Sequence, residues 1–266
     1  MKFSPALASP AAAPPPSAGD QLLQHLSALY ALTQSSPHVF ASPLGPFRTG
    51  GRQAFLPRFV FFGPHASDAS WRLCVLAGFD PRDLRPSRAA LALVQLLASD
   101  AETAHGLHVS FFPVVDTAAL AGGSLDRRLD RAHWGSPGFP EIQQLERDAR
   151  TRSYHGFIRI ETAEPGESLA VIAVRGSVAE ALSPDLELIT TDATEPIPVR
   201  FEARVGRDPE ATGPLSIAED LPFTPFELTL RIPESWEDAR YRHAALVLLR
   251  RFLWRYRAFQ SYAQHL

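Results

Sequence analysis

Hydrophobic positions along the chain fall into two alternating rhythms. Leu22, Leu23, Leu26, Leu29, Tyr30 and Leu32 recur at helical spacing, with Asp20 placed ahead of them as an N-cap. Phe55 to Phe62 is a short aromatic-rich run closed by Gly63-Pro64, the pattern of a strand and turn. Trp71 to Gly78 predicts a second strand. Arg88 to Leu97 predicts a helix capped by Ser87, and His108 to Val115 a third strand. Pro140 to Arg152 predicts a helix that opens with a proline and an acid, as helix N-termini favour. Phe157 to Glu161 and Leu169 to Val174 follow as strands, and Phe226 to Ile232 alternates cleanly as another. A long helix, from about Glu237 to Gln264, closes the chain. The stretch 184–225 has only short apolar runs among Pro, Thr, Asp and Glu, so loops and short strands are expected there. Strands alternating with helices predict an α/β fold, a sheet with helices on its faces.

Composition narrows this picture. At 266 residues with 45% hydrophobic content, the chain can bury a sizeable core without staples. Residues 1–19 read as an Ala/Pro-rich disordered tail and residues 20–266 as a single domain. Pro14, Pro15 and Pro16 favour an extended, solvated conformation, either a plain leader or a ligand for a proline-binding module. A net charge of -3 gives no general pull toward nucleic acid or an anionic membrane. Cys74 is the only cysteine, so there is no internal disulfide and no thiolate metal cluster; in Val-Leu company it reads as a small buried hydrophobe. No apolar run approaches the ~20 residues of a membrane span. The N-terminus also lacks a signal peptide's apolar core, so the cytoplasm is the expected location.

Several chemical motifs are absent. There is no G-x-S-x-G elbow, P-loop, strand-linked G-x-G-x-x-G or H-E-x-x-H. The nine histidines are scattered. His105 and His108 lie close in sequence with a glycine between them, and His65 forms an H-x-x-D with Asp68. Both pairs read as loop or strand-start residues rather than ligands.

From Arg58 to Asp83 the chain reads RFVFFGPHASDASWRLCVLAGFDPRD, followed by the helix ALALVQLL. Further on come Phe112-Pro113-Val114-Val115-Asp116, Arg128-Leu129-Asp130-Arg131, Pro140-Glu141, Gly156-Phe157-Ile158-Arg159-Ile160-Glu161 and Phe226-Glu227-Leu228-Thr229-Leu230-Arg231-Ile232-Pro233. In this order and spacing the segments resemble the zinc metallocarboxypeptidase family, specifically its succinylglutamate desuccinylase/aspartoacylase-like branch. The family places A-G-I-H-G-D-E after its ligand-bearing strand, where this chain has Ala77-Gly78-Phe79-Asp80-Pro81-Arg82-Asp83. The resemblance runs from about Arg52 to the C-terminus and implies a zinc-carboxypeptidase-like α/β fold, a mixed twisted sheet with helices on both faces.

It also implies where a site would lie. The family's zinc ligands map onto Asp80, Asp83 and Glu161, and its catalytic Glu onto Arg231. Three carboxylates without an imidazole form a hard-oxygen set, better matched to magnesium, calcium or manganese than to zinc. Arginine, a cation throughout the working pH range, cannot accept a proton from metal-bound water. The expectation is therefore a metal-free site, with Arg231 compensating the three clustered carboxylates. If the frame has slipped, His133 or His155 could still supply a ligand. Arg131 matches the family's substrate-carboxylate arginine, while the neighbouring Asn has become Asp130, an acid expected to compete for it. The leading reading is a non-catalytic protein that binds a small anionic ligand or a protein partner in the old cleft. Its rival is a live metal-dependent hydrolase of N-acyl amino acids or C-terminal peptide bonds. The arginines around the apolar stripe of the last helix allow a membrane or partner face, or plain solvation of a helix packed on the sheet.

Overall fold

In the computed structural model the strand Phe226–Ile232 (β10) lies within an eight-stranded sheet. Its alternation divides the molecule: Phe226, Leu228, Leu230 and Ile232 point to one side, and Glu227, Thr229 and Arg231 to the other. The structure describes residues 18–49, 51–67, 70–117, 128–176, 196–204, 213–220 and 225–263. The other strands are β1 (Val39–Ala41), β2 (Leu44–Thr49), β3 (Arg52–Leu56), β4 (Phe59–Phe62), β5 (Arg72–Leu76), β6 (His108–Phe112), β7 (Gly156–Thr162), β8 (Ala170–Arg175) and β9 (Val199–Arg204). The large sheet runs β1-β4-β6-β5-β7-β10-β8-β9, and β2 and β3 form a separate antiparallel hairpin. Strands β6, β5, β7 and β10 are mutually parallel, whereas β4 and β8 run against their neighbours β6 and β10.

Helices cover both faces. On the apolar side of β10, α1 (Ala18–Ser35), α2 (Arg85–Ser99) and the long α5 (Asp238–Ala263) pack over Leu73, Val75, Ile158, Leu228 and Ile172. On the other side, α4 (Pro140–Arg152) and the hairpin cover Cys74, Leu76, Phe112 and Phe157. A four-residue helix, α3 (Ala101–Ala104), leads into β6. The expected mixed sheet with helices on both faces is therefore present.

Local corrections have physical causes. The run Phe55–Phe62 is two strands in two different sheets, broken at Pro57-Arg58. Proline has no N–H for a ladder. Arg58 is buried and ion-paired to Asp148, which also accepts from the Tyr154 hydroxyl at 2.6 Å. Asp20 lies inside the first turn of α1, which begins at Ala18. Ser87 is likewise not the cap of α2: the helix begins at Arg85, and Ser87 is buried against Gly78. The proline run and the stretches 177–195, 205–212 and 221–224 lie outside the described residues. In α5, Tyr241, Ala245, Leu248, Leu249, Phe252 and Tyr256 are buried in the core while Arg250 is exposed, the pattern of a helix packed on the sheet. Among the described residues no helix is long and apolar enough to cross a membrane.

Candidate functional site

After β5 the chain passes through α2 to β6 on one side of β5, then through α4 to β7 on the other side. The winding direction thus reverses between β5 and β7. In open α/β sheets, ligands bind outside the carboxyl ends of the strands at such a point. A cleft of about 760 Å³ opens there. Its walls are the loop from Phe79 to Arg85, the end of β7 through Pro165, the segment Arg128–Asp130, and Glu234 with Asp238. Five arginines and seven carboxylates line it, with no histidine or cysteine among them.

Asp80, Asp83 and Glu161 all line this cleft, so the family frame placed them in one site. Each is held by an arginine two residues away. Arg82 grips Asp80 through Nε at 3.0 Å and Nη2 at 2.9 Å. Arg85 grips Asp83 through Nε at 2.8 Å and Nη2 at 3.0 Å, and anchors itself on the Glu234 carbonyl at 2.7 Å. Thr162 adds a hydroxyl hydrogen bond to Asp83. Arg159 pairs with Glu161. The Arg82 hydrogen bonds hold Asp80 below the usual carboxylate range, against the opposing effect of burial. For Asp83 burial pushes upward, but hydrogen bonds from Arg85 and Thr162 outweigh it and leave the carboxyl lowered.

Arg231 does not join them, which corrects the expected arrangement. Its neighbour in strand register is Glu161, yet its guanidinium turns the other way and meets Glu202 of β9 at 2.9 Å. The compensating charges come instead from Arg82, Arg85 and Arg159, which the sequence reading did not single out. A local signal was present: Asp80-Pro81-Arg82, Asp83-Leu84-Arg85 and Arg159-Ile160-Glu161 share an i, i+2 spacing, which on the strand β7 puts Arg159 and Glu161 on one face and in the loop leaves each arginine within reach of its acid.

Asp130 does not compete for Arg131 either. It caps the 3-10 turn Arg131–His133, accepting from the Ala132 N–H at 2.8 Å. Arg131 reaches back to Glu227 on β10, at 2.7 Å. Glu227 is also 3.6 Å from Arg159, so one buried carboxylate stands between two guanidinia. Burial pushes the Glu227 pKa up, opposed by Arg159 and Arg131, and burial likewise lowers the pKa of Arg131.

Arg159 is the central cation of this group. Its side chain is only 2% exposed and its guanidinium lies 4.6 Å from the centre of the Phe79 ring. Among the described residues its Nε and Nη1 have no hydrogen-bond partner, although the residue lines the cleft. Unpartnered buried donors are costly and mark places where a ligand or water oxygen can bind.

The two alternative histidines are engaged elsewhere. His133 Nδ1 accepts from the Asp130 N–H at 2.9 Å, and its ring packs on Phe139. His155 Nδ1 accepts from the Arg72 N–H at 3.1 Å and its ring stacks on Trp71. Neither lines the cleft. Zinc favours nitrogen and sulfur donors. Asp80, Asp83 and Glu161 are each committed to a guanidinium, and no three His, Cys, Asp or Glu side chains among the described residues converge as a metal site. The residues present do not fit zinc.

The mixed eight-stranded sheet with its helices has the carboxypeptidase-like α/β fold of solved structures. No family model and no curated protein sequence matches the chain. Solved structures do. A metallo-carboxypeptidase from Burkholderia cenocepacia aligns at 15% identity with a TM-score of 0.65, covering 89% of this chain and 69% of that one. A Pseudomonas aeruginosa metallo-carboxypeptidase, in complex with (2-guanidinoethylmercapto)succinic acid, aligns at 13% identity and TM-score 0.57, over 86% and 68%. An aspartoacylase family protein from Mesorhizobium loti aligns at 15% and 0.52, over 79% and 68%. At these identities the likeness establishes the fold, and activity has to be argued from the site.

Proposed function

We propose that this protein is a non-hydrolytic variant of the metallo-carboxypeptidase/aspartoacylase type, which binds a small anionic ligand in the cleft without a catalytic metal. The observation that carries this reading is the pairing of Asp80, Asp83 and Glu161 with Arg82, Arg85 and Arg159. A cation entering the cleft would have to displace three guanidinium contacts. The position that corresponds to the family's base holds Arg231, a guanidinium turned toward Glu202. Glu227 offers no replacement base, being buried between Arg131 and Arg159.

A small anion is favoured over a protein partner because the cation with an unfilled donor, Arg159, is buried deep in the site. Arg159 lines the cleft with its Nε donor unfilled among the described residues, and a guanidinium is a good match for a carboxylate. Titration calorimetry with succinate and N-acetylated amino acids tests this in the presence of a chelator. Binding without turnover, weakened in Arg159→Met, is the expected result. Metal-dependent hydrolysis of an acylated amino acid or of a C-terminal residue, lost in Asp83→Asn, would establish the rival reading of a live hydrolase.

A further inference from the structure

Two histidines that are far apart in sequence meet on the surface. The rings of His65, in the turn after β4, and His105, in the turn between α3 and β6, have centres 4.8 Å apart and planes inclined by 35°. Both side chains are exposed. In sequence His65 invites pairing with Asp68 and His105 with His108, but His108 is buried and stacked on Phe62. The fold makes a different pair.

The backbone builds this proximity. The Gly106 N–H donates to the Pro64 carbonyl at 2.7 Å, and the Gly63 N–H to the Leu107 carbonyl at 2.8 Å. The two turns approach so closely that a Cβ on Gly63 would lie 1.8 Å from the Ala104 carbonyl oxygen. His65 itself is held at a φ of 59°, a left-handed conformation sparsely populated by residues other than glycine. Two imidazoles are thus presented side by side from fixed backbone, before anything binds.

We propose that His65 and His105 form a surface site for a divalent transition metal with affinity for imidazole, with zinc as the probe and water completing its shell. Zinc–nitrogen bonds of ~2.1 Å at a tetrahedral angle put two imidazole centres about 5 Å apart, close to the observed 4.8 Å, so rotation of the exposed rings can bring a nitrogen of each onto one ion. A hard cation such as magnesium or calcium is not accommodated, since neutral nitrogen is a poor donor to it. The site lies apart from the cleft and shares no residue with it.

The test is a zinc chloride titration of the full chain, followed by histidine-ring NMR and by thermal melting. One equivalent of zinc should shift the His65 and His105 rings together and raise the melting temperature. His105→Ala should weaken binding about tenfold or more and leave the His65 ring unshifted. His65→Asn, which tolerates the left-handed backbone, should do the same to His105. The proposal is overturned if excess zinc leaves both rings unshifted, or if the shifts and the affinity survive either substitution; ring contact alone would then account for the pair.

Discussion

Replacing Arg159 by methionine removes the cation between two carboxylates while keeping an apolar side chain of similar length. Arg159 is 2% exposed and Glu227 1%, so neither charge is screened by water. Breaking a buried ion pair from one side costs about 3–5 kcal/mol, and the lost contact with the Phe79 ring adds roughly 1–2 kcal/mol. Methionine's packing offsets part of this. A net loss of about 3–5 kcal/mol corresponds to roughly 6–20 °C in melting temperature for a chain of this size. Urea melts at several pH values separate charge from packing. Burial raises the Glu227 pKa in the folded state. A group raised in this way favours folding below its unfolded pKa of 4.5, and that contribution is lost as pH climbs through the folded value. Without Arg159 the folded value rises further. The deficit of Arg159→Met should therefore be largest near pH 7 and shrink toward pH 4.5. In Arg159→Met/Glu227→Gln most of the loss at pH 7 should be recovered. A variant within about 1 kcal/mol of the parent at pH 7, with no pH dependence, would refute the reasoning.

Three further outcomes follow from the same physics. Asp148→Ala leaves Arg58 buried without its counter-ion and Tyr154 without its acceptor, and should cost about 3–5 kcal/mol in urea melts. Arg231→Ala removes a half-exposed pair with Glu202 and should cost under about 1 kcal/mol, with no gain of hydrolysis in an amidase assay. Burial first, then Arg72, pushes the His155 pKa down from 6.5 to about 4. The neutral ring favours folding above pH 6.5, and that contribution is lost as pH falls toward 4. His155→Asn keeps an acceptor for the Arg72 N–H and should flatten this acid limb in melts at pH 7 and pH 4.5.

Elements with a strong periodic signal could be read directly. Pro140 to Arg152 and Phe226 to Ile232 have in the structure the limits their patterns predict. That Asp80, Asp83 and Glu161 meet in one cleft could also be read, because the ordered motifs put them after β5 and near the end of β7, which are neighbours in the sheet. The partners divide by range. Arg82, Arg85 and Arg159 lie two residues from their carboxylates, so local spacing carried them. Arg231 turning to Glu202 depended on β9 lying beyond β8, and the single alternating pattern of β10 says nothing of that strand. Arg131 meeting Glu227 likewise joins residues 96 apart in sequence, through the fold alone. His65 and His105 belong to the same class.

Metal content tests the central claim most directly, with the surface histidines taken out of play. The His105→Ala protein, purified without chelator and analysed by mass spectrometry for zinc, manganese, magnesium and calcium, should carry no stoichiometric metal and should not hydrolyse N-acetylated amino acids. One equivalent of metal in that protein, lost on adding Asp83→Asn, would contradict a cleft in which arginines take the place of the cation.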